Sequence, residues 1–195
     1  MYRSISDEPE GVVVEDYARI LDYLPQGLPD EKMFKREPVA YALGEDQFKL
    51  FELVPKQGAS LAVGDKVYIG KDLNLRQEIL HVKKRISFNE LTHAAQSELE
   101  TVILQIIRNK EPRFVQFFNE AQAITSRFHM FELLPGLGKK TMWAIVEERK
   151  KGPFRDIADL ETRVPLAHQI EKHVAKRIEA ELANPDEKYR LFVAR

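Results

Sequence analysis

The sequence contains no cysteine. This absence excludes disulfides, thiolate catalysis and zinc sites built on cysteine, and it is typical of proteins from a reducing compartment. The sequence also lacks any run of about 18 apolar residues, and it begins with the polar, acidic segment MYRSISDEPEG. We therefore expect neither a membrane span nor a signal peptide, and the chain is predicted to be soluble and cytoplasmic.

A strong charge of one sign is lacking as well. The 195 residues have a net charge of −1, with 31% charged and 44% hydrophobic residues, which predicts a globular protein with packed cores. Residues 1–90 hold 13 Lys and Arg against 16 Asp and Glu, and residues 91–195 hold 17 against 15. Because no global basic field exists, any binding of nucleic acid must use local patches.

The first half of the chain has the pattern of a small β domain. After a flexible acidic tail at residues 1–14, short runs rich in β-branched and aromatic residues alternate with Pro, Gly and Asp. Candidate strands cover residues 17–24, 38–44, 47–54, 65–70 and 77–86. Five strands within residues 15–87 predict an OB-like barrel, closed or nearly closed, with an SH3-like barrel as the alternative.

The hydrophobic period changes to 3.6 after residue 86, so residues 88–195 are predicted to form an α-helical domain. Ser87 and Glu90 have the spacing of a capping box in front of a helix over about residues 89–109. The apolar face of this helix comprises Leu91, Ala95, Leu99, Val102, Ile103, Ile106 and Ile107. Further helices are predicted from Pro112 with an apolar stripe as far as Ile124, and over about 127–134, 139–151, 156–164 and 167–182. The fold class is α+β with two domains.

The stretch LLPGLGKKT, residues 133–141, joins two predicted helices through a Gly-x-Gly turn. Such a turn brings together the backbone N–H groups of the turn and of the next helix, where the helix dipole also favours an anion. We expect a phosphate site here, with a positive φ at Gly138. The predicted nucleic-acid-binding residues are Gly136, Leu137, Gly138, Lys139, Lys140 and Thr141.

Residues 131–160 resemble a helix-hairpin-helix element, which occurs in many DNA- and RNA-associated proteins. Phe131, Leu134, the Gly136 to Gly138 hairpin and Thr141 carry the resemblance. It implies a motif over about residues 127–150 and a second copy over about 156–183. Because the stretch TRVPLAHQI lacks both glycines, the implied second copy is degenerate and structural.

A second nucleic-acid surface is predicted on the barrel. Period-two alternation in HVKKRI places three basic residues on one strand face, although an ordinary solvated face explains them equally well. Tyr17 and Tyr23 share a predicted face with Arg19, whereas Trp143 is expected to anchor its helix rather than stack on a base. The residues of this surface are Arg19, Lys66, Tyr68, His81, Lys83 and Arg85.

No pattern in the sequence indicates catalysis, a cofactor or a metal. His168 and His173 are five residues apart and so do not share a helix face as an i, i+4 metal pair would. HExxH, GxSxG and P-loop motifs are absent from the sequence. We therefore expect no catalytic residues, no metal site and no cofactor.

The order of barrel, long helix and hairpin domain is similar to an archaeal family known as domain of unknown function 655. The segments EPVAYALGEDQFKLFELVP and HVKKRISFNEL carry this resemblance, which covers nearly the whole chain. It implies RNA as the partner, favoured over DNA. We expect a non-catalytic nucleic-acid-binding protein. The alternatives are a protein-interaction scaffold in a ribosomal or transcription assembly, and a nuclease or RNA-modification accessory.

Overall fold

The structure, a computed structural model, describes residues 15–29 and 36–195. The chain divides into two compact units, Met1–Ile86 and Ser87–Arg195, which we call the sheet unit and the helical unit. The acidic tail predicted at residues 1–14 lies outside the described residues. Within the described ranges, every helix is too short or too polar to cross a membrane.

The described part of the sheet unit, residues 15–29 and 36–86, forms one curled antiparallel sheet of five strands, in the order β4-β1-β2-β3-β5. Among the described residues β4 and β5 are its two edges, so the sheet forms a half-barrel that is open at one side. All five predicted strands occur, most with narrower bounds. The strands are β1 (Tyr17–Leu24), β2 (Val39–Gly44), β3 (Leu50–Pro55), β4 (Lys66–Tyr68) and β5 (Ile79–Ile86).

Alanines and larger aliphatic side chains together form the core of the curled sheet. Ala40 lies opposite Leu53 and Ala42 lies opposite Phe51, so these residues share one face. Because alanine side chains are small, the larger side chains on this face have room to pack as the sheet curls. The buried cluster on this face comprises Ala18, Ile20, Ala40, Ala42, Leu53, Val67, Ile69 and Ile79.

Five α-helices form the helical unit, which together with the sheet confirms the α+β class. All seven predicted apolar positions of the first helix are buried. The capping box of Ser87 and Glu90 is present, but it caps a 3-10 turn, Phe88–Glu90. The first α-helix begins after Thr92, whose Oγ1 accepts a hydrogen bond from Ala95 N at 3.1 Å. The helices are α1 (His93–Asn109), α2 (Glu111–Glu120), α3 (Lys139–Arg149), α4 (Ile157–Arg163) and α5 (Ile170–Ala183).

The prediction of a helix over residues 127–134 is wrong. In its place, β6 (Ala123–Thr125) and β7 (Phe128–His129) form a two-stranded hairpin, followed by a 3-10 turn, Met130–Leu133. Ile124 accordingly lies in β6 and does not extend the stripe of α2. Hydrogen bonds local to His129 explain the change, because its ring accepts from Phe131 N and its own N–H donates to Glu132. This capping box begins a new turn at the position where the predicted helix would continue.

The C-terminal segment, for which the sequence gives no clear pattern, completes the core of the helical unit. The ring of Phe192 lies 5.7 Å from Phe114 and 5.0 Å from Phe117. Phe118 and Phe131, both fully buried, stack at 5.4 Å in the same cluster. The aromatic residues of α2 are therefore core residues, as their helical spacing predicts.

A buried ion pair in α5 holds this segment in place. Glu181 is fully buried, and its carboxylate lies 2.8 Å from Arg177 Nε. The same carboxylate accepts hydrogen bonds from three successive backbone N–H groups, those of Leu191, Phe192 and Val193. Arg177 also donates to the Leu133 carbonyl at 3.4 Å, at the end of the 3-10 turn. One pair thus connects α5, the C-terminal segment and the turn that precedes α3.

The substitution Glu181→Gln is expected to destabilise the helical unit by about 3 kcal/mol, because it removes the fully buried counter-charge of Arg177 and leaves only the more exposed Glu187, 3.3 Å away. It also points an amide NH₂ at backbone N–H donors. Urea unfolding followed by circular dichroism at 222 nm measures the effect. The matched control is Glu147→Gln, at the exposed pair with Lys150, which should leave the transition unchanged. Similar midpoints for the two variants would contradict this account.

Candidate nucleic-acid interface

The turn between the 3-10 helix and α3 has one residue in the left-handed region. Gly136 has φ +82°, whereas Gly138 has φ −72° and ψ 160° and is the N-cap of α3. The positive φ predicted at Gly138 is therefore wrong, because the bend is made two residues earlier. Leu137 is buried, and its N–H donates to the Leu134 carbonyl at 3.1 Å, so it is not the free donor that the sequence predicts.

The turn packs against α5 and against the segment that joins α4 to α5. A Cβ at Gly136 would lie 3.1 Å from the His173 ring of α5, and His173 Nδ1 donates to the Pro135 carbonyl at 2.8 Å. The hydroxyl of Thr141 donates to the Leu166 carbonyl at 3.4 Å, which gives this predicted binding residue a structural role. These contacts fix the direction in which α3 begins.

The first turn of α3 has no cap among the described residues. None of them accepts a hydrogen bond from the N–H groups of Gly138, Lys139, Lys140 or Thr141. The starts of α1, α4 and α5 differ, since Thr92, Asp156 and Glu161 respectively accept from their first-turn N–H groups, whereas α2 also has no side-chain cap. Uncapped N–H groups and the positive end of the helix dipole make this point favourable for an anion.

Two exposed lysines flank these N–H groups. Lys140 is exposed, and the side chain of Lys139 is 76% exposed with its Nζ 3.9 Å from Glu132. An ion pair at that distance and exposure is weak, so Lys139 can turn towards another anion at little cost. Of the six predicted residues, the turn therefore presents Gly136, Gly138, Lys139 and Lys140 to solvent, and it uses Leu137 and Thr141 internally.

A small groove lies between the β6–β7 hairpin and the start of α3. It has a volume of about 120 Å³, and its lining includes Arg127, Phe128, Lys139 and Trp143. Trp143 is 57% exposed, so the prediction that this residue anchors its helix is wrong. The sequence signal that could have revealed it is its position between the buried Met142 and Ile145, which places it on the outer face of α3.

His129 is mostly buried and lines the groove as a neutral ring. Burial first, and the nearby Arg149 second, hold the pKa of His129 below its ordinary value of 6.5. Its Nδ1 accepts the hydrogen bond from Phe131 N at 3.1 Å, which is possible only when that nitrogen carries no proton.

The cations predicted on the barrel are paired with buried carboxylates. Glu45, which is 2% exposed, lies 2.7 Å from Arg19 Nε and 3.2 Å from Lys66 Nζ. Tyr68 packs edge-on against Tyr17, with ring centroids 5.3 Å apart, and Lys66 lies over the Tyr17 ring. Much of the positive charge of this group is therefore neutralised within the sheet unit.

The common face predicted for His81, Lys83 and Arg85 does not form. A bulge in β5 at Lys83 shifts the register, so His81 lies opposite Val54 and Arg85 opposite Phe51, on different faces of the sheet. Lys83 Nζ lies 3.0 Å from the buried Glu52 carboxylate, and Lys84 lies 3.7 Å from it. Alternation in the sequence cannot reveal a bulge, which adds one residue to one strand only.

Metal ligands do not gather anywhere in the part of the chain that the structure describes. Within residues 15–29 and 36–195, no group of three or more His, Asp or Glu side chains could hold a metal ion. The chemistry available at the α3 turn is hydrogen bonding and positive charge.

Substituting Gly136 by alanine is expected to destabilise the protein by about 1–2 kcal/mol, because the left-handed conformation is costly for a residue with a Cβ. The His173 ring at 3.1 Å would also have to move. At Gly138 a Cβ meets no atom within 4 Å, and Gly138→Ser supplies a favourable N-cap, so this matched variant should be as stable as the parent or more so. The midpoint of thermal unfolding measures the stability of both variants against the parent. A larger loss at Gly138 would contradict the assignment of the bend.

His129 is expected to titrate below 6.5 in an NMR pH titration of its imidazole. Because its folded pKa lies below its unfolded value, the unfolded state binds the proton more readily, and stability is lost as the pH falls below about 6.5. Urea unfolding at about pH 7.5 and about pH 5.5 should show this loss in the parent and less of it in His129→Gln. A folded pKa above 6.5 would overturn the assignment of a neutral ring.

Known proteins provide a comparison for the whole chain. Residues 14–194 match the family model described as protein of unknown function (DUF655). An uncharacterized protein from Methanocaldococcus jannaschii, MJ0038, is 44% identical over 180 residues, which cover 92% of this chain and 80% of the relative. The crystal structure of Af1531 from Archaeoglobus fulgidus aligns with a TM-score of 0.86 and 46% identity, and covers 92% of this chain and 100% of that chain.

The archaeal relatives carry no assigned activity in their names, so they identify the fold and the ancestry of the molecule rather than its chemistry. The family match spans both units and includes the turn before α3. The chain belongs to the DUF655 family.

Proposed function

We propose that this protein binds the phosphate backbone of RNA at the start of α3, as a non-catalytic, cytoplasmic nucleic-acid-binding protein. The observation that carries the proposal is the set of uncapped N–H groups from Gly138 to Thr141, beside the exposed Lys139 and Lys140. Backbone N–H groups and lysines that reach a phosphate oxygen hold a strand in position without reading its bases. Binding of this kind does not depend on base sequence.

The geometry of the turn supports a helix-hairpin-helix assignment with a shortened first helix. The 3-10 turn Met130–Leu133, the bend at Gly136 and α3 occur in the order of such a motif. The pair α4 and α5 follows as the degenerate second copy, joined by a 3-10 turn, Pro165–Ala167. Because this copy supports the first turn through His173 and Leu166, its role in the proposal is to hold the hairpin and not to grip a second strand.

The curled sheet supports an OB-like barrel opened at one side. Its order β4-β1-β2-β3-β5 brings the two edge strands to the ends of a half-barrel. OB-type barrels commonly bind single-stranded nucleic acid, and for this reason we favour RNA over duplex DNA. The pairing of Arg19 and Lys66 with Glu45 leaves this surface weakly cationic, so we assign it the smaller share of the binding energy.

A protein-interaction scaffold is the second candidate. Leu73, Leu75 and Leu80 are large apolar side chains that are exposed in the sheet unit. Exposed leucines near sheet edges can receive a protein partner, particularly where an unpaired strand edge accompanies them. This function predicts no affinity for free oligonucleotides, which separates it from the first candidate.

The double variant Lys139→Glu/Lys140→Glu is expected to weaken binding to a single-stranded RNA oligonucleotide at least about tenfold, since charge-assisted hydrogen bonds to phosphate are lost. The slope of log affinity against log salt should become shallower by about 0.7 for each phosphate contact removed. Fluorescence anisotropy of a labelled oligonucleotide over a range of salt concentrations measures both quantities.

The matched control is Lys150→Glu/Lys151→Glu. It makes the same change in net charge at the opposite end of α3, where both lysines already pair with Glu147 and Glu148. The control should retain most of the parent affinity. Equal losses in the two double variants would mean that only net charge matters, and the hairpin would then have no special part in binding.

A further inference from the structure

We propose that the groove between the β6–β7 hairpin and α3 holds one unpaired base stacked on Trp143, so that the protein selects single-stranded over duplex RNA. This inference rests on the proposed function, because it takes the phosphate contact at the start of α3 as its neighbour. The proposed groove contacts a base of the RNA, whereas the hairpin alone would contact only the phosphate backbone.

The exposure of Trp143 carries the inference. The side chain is 57% exposed, and none of the described residues makes a ring or cation contact with it. An indole is a large apolar surface that is usually buried, so exposing it on a rigid helix is unfavourable for a monomer in water. Trp143 lies in α3 beside the buried Met142 and Ile145, which fix the helix beneath it.

Charge complementarity identifies the occupant as part of an anionic ligand. Arg127 is exposed at the groove, and its guanidinium makes no ion pair with a described residue. Lys139 lies at the same groove, and its one ion pair with a described residue is the weak pair to Glu132. Among the residues that the structure describes, Glu132 is the one carboxylate lining it, and one of its oxygens accepts from His129 N at 2.9 Å. The rim is therefore net positive around an aromatic surface.

The spacing along α3 suits a single nucleotide. Trp143 follows Lys139 by four residues, so both side chains lie on one face of the helix. At 1.5 Å per residue they are about 6 Å apart along the helix axis. A nucleotide carries its phosphate and its base on either side of one sugar, so the phosphate can lie at the uncapped N–H groups while the base reaches the indole.

The size of the groove restricts what can enter it. Its volume of about 120 Å³ is below the roughly 300–1,000 Å³ of sites that enclose a whole drug-sized ligand. We expect the groove to hold one ring system rather than a base pair. A base held in a duplex is already stacked and paired, and moving it onto Trp143 would cost unstacking energy. Preference for an unpaired strand follows from this cost.

Trp143 also provides the readout, because it is the single tryptophan of the chain. The probes are a ten-nucleotide RNA of mixed, non-self-complementary sequence, the duplex of that RNA with its complement, and a ten-residue abasic chain with the same phosphates. We expect the single strand to quench Trp143 fluorescence and to bind more tightly than either other probe. The abasic chain should bind through phosphate contacts alone.

Trp143→Ala should lose about 5- to 150-fold in affinity for the single strand, the range expected for one stacked base. Trp143→Phe should restore most of the loss, because phenylalanine keeps a ring for stacking. Both variants should fold, since the side chain is more than half exposed. The abasic chain should bind Trp143→Ala as well as it binds the parent.

The same measurements distinguish a missing base site at Trp143 from a missing phosphate site at the start of α3. If Trp143→Ala binds the single strand as tightly as the parent while Lys139→Glu/Lys140→Glu loses affinity, the base site is overturned and the phosphate site stands. Equal affinity of the parent for single strand and duplex overturns the base site as well. If neither the RNA nor the abasic chain binds the parent, both proposals fall.

Discussion

The buried ion pair between Arg177 and Glu181 connects α5, the C-terminal segment and the turn before α3. Two buried charges cost several kcal/mol each in lost hydration, and only a full set of partners compensates for that loss. The partners of Glu181 are the N–H groups of Leu191, Phe192 and Val193. Arg177 also contacts the Leu133 carbonyl and lies 3.3 Å from the Glu187 carboxylate. The pair therefore closes the C-terminal segment over the aromatic core and sets the position of the turn before α3.

That fixed turn allows the start of α3 to remain uncapped. Gly136 bends the chain against His173, and Thr141 is held to Leu166, so the direction of α3 does not depend on a capping side chain. The N–H groups of its first turn stay available, with Lys139 and Lys140 beside them. A site that is ordered before its ligand arrives loses less entropy on binding, which favours a rigid phosphate anchor over a flexible loop.

Much of this architecture could be predicted from the sequence, because hydrophobic period and turn residues act locally. The five strands, α1, α3 and α5 follow from those patterns, and so does the turn at Gly136 to Gly138. The β6–β7 hairpin and the bulge at Lys83 could not be predicted, because a ring acceptor on His129 and one extra residue in β5 override the local period. The pairing of Arg19 with Glu45, 26 residues away, and the exposure of Trp143 depend on packing that no local pattern contains.

In the proposed binding mode, the backbone N–H groups of the α3 turn, rather than its lysines, make the central contact with RNA. The most direct test is an NMR titration of ¹⁵N-labelled protein with a single-stranded RNA oligonucleotide. We expect the largest amide shifts at Gly138, Lys139, Lys140 and Thr141, with downfield proton shifts typical of new hydrogen bonds to phosphate. Shifts confined to other surfaces, with these four amides unmoved at saturation, would contradict the account.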